Sequence, residues 1–313
     1  MIDSKDISVI VQGPIAYSSD GKVNQTKLVC ESIRTCLPEA EIILSTWEGS
    51  YIADIEADKF LLNPSIHANK MYRIGEKEPT LHTVNHQIIT TIEGLKQATK
   101  KYAIKTRTDV KFLHNNFLKY FDKYNRYPSD EEYRAWRVFD KRIVTLPTVD
   151  VRGERGLPYN VSDWFYLGLT NDLIKLFDIP LIDTFNLVSH GNDYPHAEDN
   201  LGNEQAIWVS CLRKYRDVDF NNSIDLREKT KRESEIALAN NFVIVSGKDL
   251  GLYSFKYGMN SYLRNPLLSI DTYTHNDWKK LYNKYGGGEE VTIFRSYEII
   301  FKLLYKYYKR FSS

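Results

Sequence analysis

The sequence predicts an α/β fold, a mostly parallel sheet with helices on both faces and a helical tail at the C-terminus. Three observations predict it. The first half alternates short apolar strands with amphipathic helices in the order β-α-β-β-α-β, which lays helices over a mostly parallel sheet. Its strands are continuous β-branched runs rather than alternating ones, as in a sheet covered on both faces. A triple glycine, Gly286-Gly287-Gly288, separates a final helical run from everything before it.

Residues 7–12 (ISVIVQ) read as the first buried strand. Residues 24–36 (NQTKLVCESIRTC) read as a helix with Leu28, Val29, Ile33 and Cys36 on one side, stopped by Pro38. Residues 41–46 (EIILST) are a second buried strand, and 59–62 (KFLL) a third, ended by Asn63-Pro64. Over 84–100 (VNHQIITTIEGLKQATK), Val84, Ile88, Ile92 and Leu95 recur at helical spacing, and Lys96 and Lys100 suit a helix C-terminus. Residues 102–107 (YAIKTR) form a fourth strand that runs into Thr108-Asp109.

The second half is less regular. Helices are expected within 117–139, broken at Pro128, and strands at 142–146 (RIVTL) and 163–168 (DWFYLG). Asn171 is expected to cap a short helix over 172–178, before Pro180. Residues 183–203 read as a loop, 204–215 (EQAIWVSCLRKY) as a helix, 217–234 as a polar stretch and 242–246 (FVIVS) as a strand. The glycine run reads as a linker, and 291–311 as one helix. No internal repeat or low-complexity segment interrupts this order.

The chain has 313 residues, which suits one large domain or two modest ones. That is long enough to bury a core without disulfides or metals. With 42% hydrophobic and 27% charged residues it is neither disordered nor collagenous. Lys and Arg number 42 against 41 Asp and Glu, so no basic excess points to nucleic acid. Three cysteines make neither a disulfide framework nor a zinc site and fit a reducing cytosol. The opening residues read as neither a signal peptide nor a membrane span, so a cytoplasmic location is expected.

Parallel sheets bind ligands beyond the carboxyl ends of their strands. Here those ends carry Gln12-Gly13-Pro14, Thr46-Trp47-Glu48-Gly49 and Arg107-Thr108-Asp109. Neither G-x-G-x-x-G nor G-x-x-x-x-G-K-[ST] occurs, which excludes Rossmann dehydrogenases and P-loop NTPases and weighs against a nucleotidyltransferase. Alternation puts Lys105, Arg107 and Asp109 on one face of the fourth strand. A lysine, an arginine and an aspartate-held divalent cation can together neutralise a sugar-nucleotide diphosphate. The plainer alternative is a strand end with an internal ion pair.

The first half resembles the GT-A class of glycosyltransferases, and the chain as a whole resembles the WavE lipopolysaccharide-synthesis family. The resemblance lies in ISVIVQGPI (7–15), LPEAEIILSTWEG (37–49), VNHQIITTIEGLKQA (84–98) leading into KYAIKTRTD (101–109), SDWFYLG (162–168), NEQAIW (203–208) and LGLYSFKYG (250–258). It implies a GT-A-like, Rossmann-type sheet: 1–146 would bind the sugar nucleotide, 147–285 the acceptor, and 289–313 would form a basic amphipathic helix. The implied activity is sugar transfer, with inversion, from a nucleotide-sugar donor to a lipid-linked glycan acceptor in bacterial surface polysaccharide or lipopolysaccharide synthesis. A non-catalytic carbohydrate-binding or scaffold protein on the same fold is the alternative.

Residue by residue, the resemblance puts Arg107-Thr108-Asp109 where GT-A enzymes carry Asp-x-Asp, so Asp109 is the implied ligand of a divalent cation, Mn²⁺ or Mg²⁺. Only the last carboxylate of the pair is present. A literal Asp-x-Asp at Asp217-Val218-Asp219 follows a later helix and reads as a solvated turn. Gln12 and Gly13 end the first strand, and Glu48 sits where the nucleoside is expected, with Trp47 either stacking or in the core. Asn85 and Gln87, in the first turn of a helix, either read a base, ribose or phosphate or are ordinary capping polarity. Lys105, Arg107 and Lys256 are the cations expected on the donor. Glu204 and Asp163 are the candidate general bases, because inverting transfer needs a carboxylate to take the acceptor hydroxyl's proton; a helix-terminal acid and a strand-edge ion pair are their plainer alternatives. His190 and His196 show no metal-ligand spacing.

From Arg295 to Arg310, the basic residues Arg295, Lys302, Lys306, Lys309 and Arg310 interleave with aromatic and aliphatic residues, against one acid, Glu298. Such a helix suits peripheral contact with an anionic membrane, on the inner face of the cell membrane, or docking onto its own domain. It is too basic to span a bilayer.

Overall fold

The structure is a computed structural model that describes residues 2–67, 69–71, 80–148, 156–182, 201–220, 225–256 and 272–288. After a 3₁₀ turn at Ser4–Asp6, the apolar run forms β1 (Ile7–Gln12), every residue of it buried. Helix α1 (Gln25–Cys36) follows, with the Asn24 side chain accepting from the Lys27 N–H as its cap. Next come β2 (Glu41–Trp47), β3 (Lys59–Asn63) and a small antiparallel pair, β4 (Asn69–Met71) with β5 (Thr80–His82). Helix α2 (Val84–Lys96) leads to β6 (Tyr102–Arg107) and β7 (Val110–Phe112). Two short helices, α3 (Leu118–Phe121) and α4 (Glu131–Arg134), precede β8 (Ile143–Thr145). Then follow β9 (Phe165–Leu169), α5 (Thr170–Phe177), α6 (Asn203–Arg213) and α7 (Glu228–Asn241). The described chain closes with β10 (Phe242–Ile244), α8 (Gly247–Leu250), β11 (Leu252–Ser254) and α9 (His275–Tyr285).

Seven strands form one sheet in the order β10-β8-β9-β6-β1-β2-β3, and β7 pairs separately with β11. The fold is therefore α/β around a mostly parallel sheet. Only β9 runs against its neighbours, antiparallel to both β6 and β8. That reversal positions the site: the residues that lead into β9 arrive where β6 ends.

Helix α2 lies close on one face. A Cβ added at Gly94 would fall 2.5 Å from Ile10 Cγ2, so a larger side chain would push the helix off β1. Ile10, Lys105 and Tyr166 are register partners across β1, β6 and β9, which puts all three on that α2 face. The opposite face is also covered, since Val9 and Val11 are fully buried. Each such aliphatic side chain contributes ~1.5–3 kcal/mol.

Several expectations need correction. β3 is not a buried strand: Phe60 is 40% and Leu62 44% exposed on this sheet edge. α2 ends at Lys96 rather than at residue 100, because the chain tightens there, with the Gln97 N–H on the Gly94 carbonyl. β9 starts at Phe165, so Asp163 belongs to the turn before it. Asn171 does not cap α5; Leu169 stands at the cap, and Thr170 is tied to β6 through the Lys100 and Lys101 carbonyls.

The polar stretch expected at 217–234 conceals the start of α7. Its sequence is poor in apolar residues, yet Asn240 and Asn241 are fully buried. Asn241 accepts from the Val138 N–H and donates to the Trp136 and Ala237 carbonyls, so backbone partners add to the buried Ile236, Ala237, Leu238 and Ala239 in holding this helix end. The glycine run is not a loose linker either. Gly286 donates to the Tyr282 carbonyl and ends α9, and Arg142 grips the Gly286 carbonyl at 2.6 Å. Gly287 takes φ 86° against the Tyr127 backbone, where a Cβ would clash at 2.3 Å. Of the loop expected over 183–203, residues 183–200 lie outside the described residues, as does the tail helix expected over 291–311, and Asn203 already begins α6.

Candidate active site

The carboxyl ends of β1 and β6 are locked side by side. Thr108 donates its hydroxyl to the Pro14 carbonyl at 2.7 Å and its N–H to the Gln12 carbonyl at 3.2 Å. Gly13 turns at φ 123°, the left-handed region, and a Cβ there would sit 3.3 Å from Thr108 Oγ1. Gln12 is buried and accepts from the Thr90 hydroxyl at 2.8 Å, which ties the end of β1 to α2.

Arg107 and Asp109 then meet as a bidentate fork, Nε on Oδ1 at 2.9 Å and an Nη on Oδ2 at 2.8 Å. The guanidinium lies over Trp164 at 5.2 Å. In such a fork the planar guanidinium matches the carboxylate with two charge-assisted bonds. The Asp109 carbonyl accepts from Phe255, which brings β11 and the exposed Lys256 beside it.

Lys105, two residues back on the same face, does not point into solvent. It is fully buried and donates to the Asp163 carbonyl, between the rings of Tyr166 and Phe177 at 5.7 and 5.8 Å. Gln87 reaches the same carbonyl at 3.4 Å. Burial pulls the Lys105 ammonium down to about 8, against the opposing pull of Asp163. Its expected direct grip on a donor phosphate is replaced by this interior position.

Asp163 is buried, and Glu204 enters half-buried from the first turn of α6. Desolvation pushes the Glu204 carboxyl up to about 7, the negative charge of Asp163 adds to the rise, and Arg107 and Lys105 oppose it. The turn ahead of α6 is fixed by Gln205, which accepts from the Gly202 N–H at 3.0 Å and donates to the Pro158 carbonyl at 2.7 Å. Five expected residues thus share one electrostatic cluster: Lys105, Arg107, Asp109, Asp163 and Glu204.

The other expected residues divide. Gln87, Gln12 and Gly13 border the cluster. Asn85 is taken up by the fold: its amide donates to and accepts from the Ile182 backbone, both at 2.8 Å. Glu48 is exposed at the end of β2, two strands from β6, and Trp47 packs edge-on to His86 at 4.8 Å. Asp217 and Asp219 are exposed after α6, and Asp219 pairs with Arg227 at 3.1 Å, as a solvated turn would. His190 and His196 lie outside the described residues. Sequence reasoning missed Trp164 under Arg107. Its signal is the register: Tyr166 stands opposite Lys105, so two residues earlier the same face reaches Arg107.

The described donor set does not make a divalent-cation site. Both Asp109 oxygens hold Arg107, and among the described residues no group of three His, Cys, Asp or Glu side chains is gathered for a metal ion. Among the same residues, no helix is long and apolar enough to cross a membrane.

Among solved structures, the 4-diphosphocytidyl-2C-methyl-D-erythritol synthase of Anaerococcus prevotii is 10% identical, with a TM-score of 0.33 over 58% of this chain and 82% of that one. The inositol-1-phosphate CTP transferase of T. maritima is also 10% identical, with a TM-score of 0.33 over 74% of this chain and 96% of that one. No curated protein matches the chain. The family model described as WavE lipopolysaccharide synthesis matches residues 7–309, nearly the whole sequence. The chain therefore belongs to the WavE lipopolysaccharide synthesis family.

Proposed function

We propose that the protein is an inverting glycosyltransferase that moves a sugar from a nucleotide-sugar donor to a glycan acceptor in bacterial surface polysaccharide or lipopolysaccharide synthesis. Family membership supports the pathway class. The observation that carries the chemistry is the shared electrostatic cluster of Asp163 and Glu204 with Lys105 and Arg107, beside the Arg107–Asp109 fork at the end of β6.

The donor diphosphate lies at the carboxyl ends of β1 and β6, where Arg107 and Lys256 supply positive charge and Gly13 lets the backbone approach. Asp109 aims Arg107. The acceptor hydroxyl lies against Glu204, with Asp163 beside it. As the acceptor oxygen attacks C1 of the sugar, Glu204 takes its proton. The new C1–O bond forms on the face opposite the departing phosphate oxygen, and the nucleoside diphosphate leaves with the electron pair of the broken bond. A carboxyl held near pH 7 is matched to that task. This reading routes no step through a metal ion, since both Asp109 oxygens hold Arg107. The acceptor is lipid-linked in this reading, and the basic tail over 289–313, outside the described residues, brings the enzyme to the membrane that carries it.

The test is a panel of nucleotide sugars offered with a membrane glycolipid fraction, with release of nucleoside diphosphate and glycan product both followed. Product with wild-type protein and loss in Glu204→Gln supports transfer. Tight donor binding with no product from any donor points instead to a carbohydrate-binding protein on this fold.

A further inference from the structure

We infer that Lys105 is a positioning residue of this site: its sealed ammonium clamps the Asp163 turn through the main chain and supplies the charge that lets Asp163 and Glu204 stand together inside the fold. The inference rests on the reading of that pair as the acceptor-side carboxylates.

Lys105 occupies a place that a strand core would ordinarily give to an aliphatic side chain. Its neighbours Ala103 and Ile104 are fully buried, as Lys105 itself is. A lone ammonium there is costly, so it persists only where partners compensate it. The groups that face it come from each element around it. β6 itself contributes Arg107, and Asp109 lies just past its end. The turn before β9 contributes Asp163, carbonyl and carboxylate both, and β9 contributes Tyr166. α6 contributes Glu204, α5 the Phe177 ring, and α2 the uncharged Gln87 on the same carbonyl.

The cluster thus holds three carboxylates and two cations. Arg107 is forked to Asp109 and shares with Lys105 the compensation of Glu204, but it is Lys105 that is sealed against the Asp163 turn, on its main-chain carbonyl. Without Lys105, Glu204 would be less compensated and would hold its proton to higher pH.

The test compares wild type with Lys105→Met and Lys105→Arg. In transfer assays, the acid limb of the pH profile should move up by about one to two pH units in Lys105→Met. Lys105→Arg should return most of the way to wild type. A purely structural lysine would lower the amount of folded enzyme and leave the limb in place.

A substrate-free measurement runs alongside. Glu204 is raised from its ordinary 4.5 to about 7 in the fold, so it makes the wild type lose stability as pH rises across that window. Lys105 is lowered from 10.5 to about 8, so it makes stability recover as pH rises from about 8 toward 10.5. Lys105→Met should abolish that recovery and extend the loss above pH 7. Melting curves that run parallel to wild type at every pH overturn the inference.

If Lys105→Met does not fold, the double variant with Glu204→Gln is measured. Removing the facing acid should restore folding, and continued unfolding overturns the inference. A protein that transfers no sugar but shows the altered pH dependence of melting sinks the proposed function and keeps the role of Lys105. Active transfer with an unmoved acid limb and parallel melting curves does the reverse.

Discussion

Among the described residues, two cations are sealed inside this fold, in different regions, and they are compensated in opposite ways. Arg142, ahead of β8, gives hydrogen bonds to the backbone carbonyls of Ala239, Tyr124, Arg126 and Gly286. Its guanidinium rests on the rings of Tyr127 and Tyr282 at 4.1 and 4.8 Å. Burial pulls it down to about 10, still far above neutrality, and nearby tyrosines rather than carboxylates oppose that fall. Lys105 has one main-chain carbonyl, two rings and carboxylates around it. The difference is between a clasp and a titrating centre. Planar, many-donor Arg suits several fixed carbonyls, whereas a lysine among acids changes charge with its neighbours.

The largest effect should separate the two regions outright. Glu204→Gln keeps shape and removes the proton acceptor, so transfer should fall ~10²–10⁴-fold while donor binding holds and the melting temperature does not fall. A parallel fall in donor affinity would move Glu204 to the donor side. In wild type, transfer should rise with pH through about 7, as Glu204 becomes ionised.

Arg142→Met should do the opposite. It strands several buried carbonyls at once, and we expect a stability loss of about 3 kcal/mol, roughly a hundredfold in the folding equilibrium. The rate per folded molecule should be unchanged. Denaturant melts with an active-site titration check both; a lost rate at full folding would break the contrast between the regions.

A smaller effect belongs to the fork. Arg107→Met should weaken nucleoside diphosphate binding by roughly tenfold, and Asp109→Asn by somewhat less, since a charge-assisted bidentate pair is worth about 1–3 kcal/mol. Calorimetry in chelator and again in Mn²⁺ reads this. If Asp109→Asn matters only when Mn²⁺ is present, Asp109 is a cation ligand rather than the holder of Arg107.

The smallest effect is expected at Asp219, half of the literal Asp-x-Asp. Its partner Arg227 is exposed with it, and surface pairs contribute little. Asp219→Asn should leave rate and melting temperature at wild-type values. A large rate loss would mean that the site extends past α6.

How much of this was legible depends on which forces speak locally. β1, β2 and β6 are continuous apolar runs, and α1 and α2 carry an apolar stripe with a cap or a stop, so their positions follow from the nearby residues. The strand-end chemistry of Gly13, Arg107 and Asp109 follows from them, because parallel strands present their ligand side at one end. α7 was not legible: its apolar residues crowd into one turn, Ile236 to Ala239, and the buried Asn240 and Asn241 take partners from distant backbone.

The sequence by itself thus determined a mostly parallel α/β sheet and which residues crowd its carboxyl edge. Only the tertiary structure decided what each does there. Lys105 looks like a ligand for phosphate until β9, running backwards, brings the Asp163 carbonyl across 58 residues onto its ammonium. Asn85 looks like a ligand for a nucleoside until the Ile182 backbone closes on it from 97 residues away. Periodicity records whether a side chain faces inward. It does not record which remote group meets it, and a buried charge or amide takes its role from that partner.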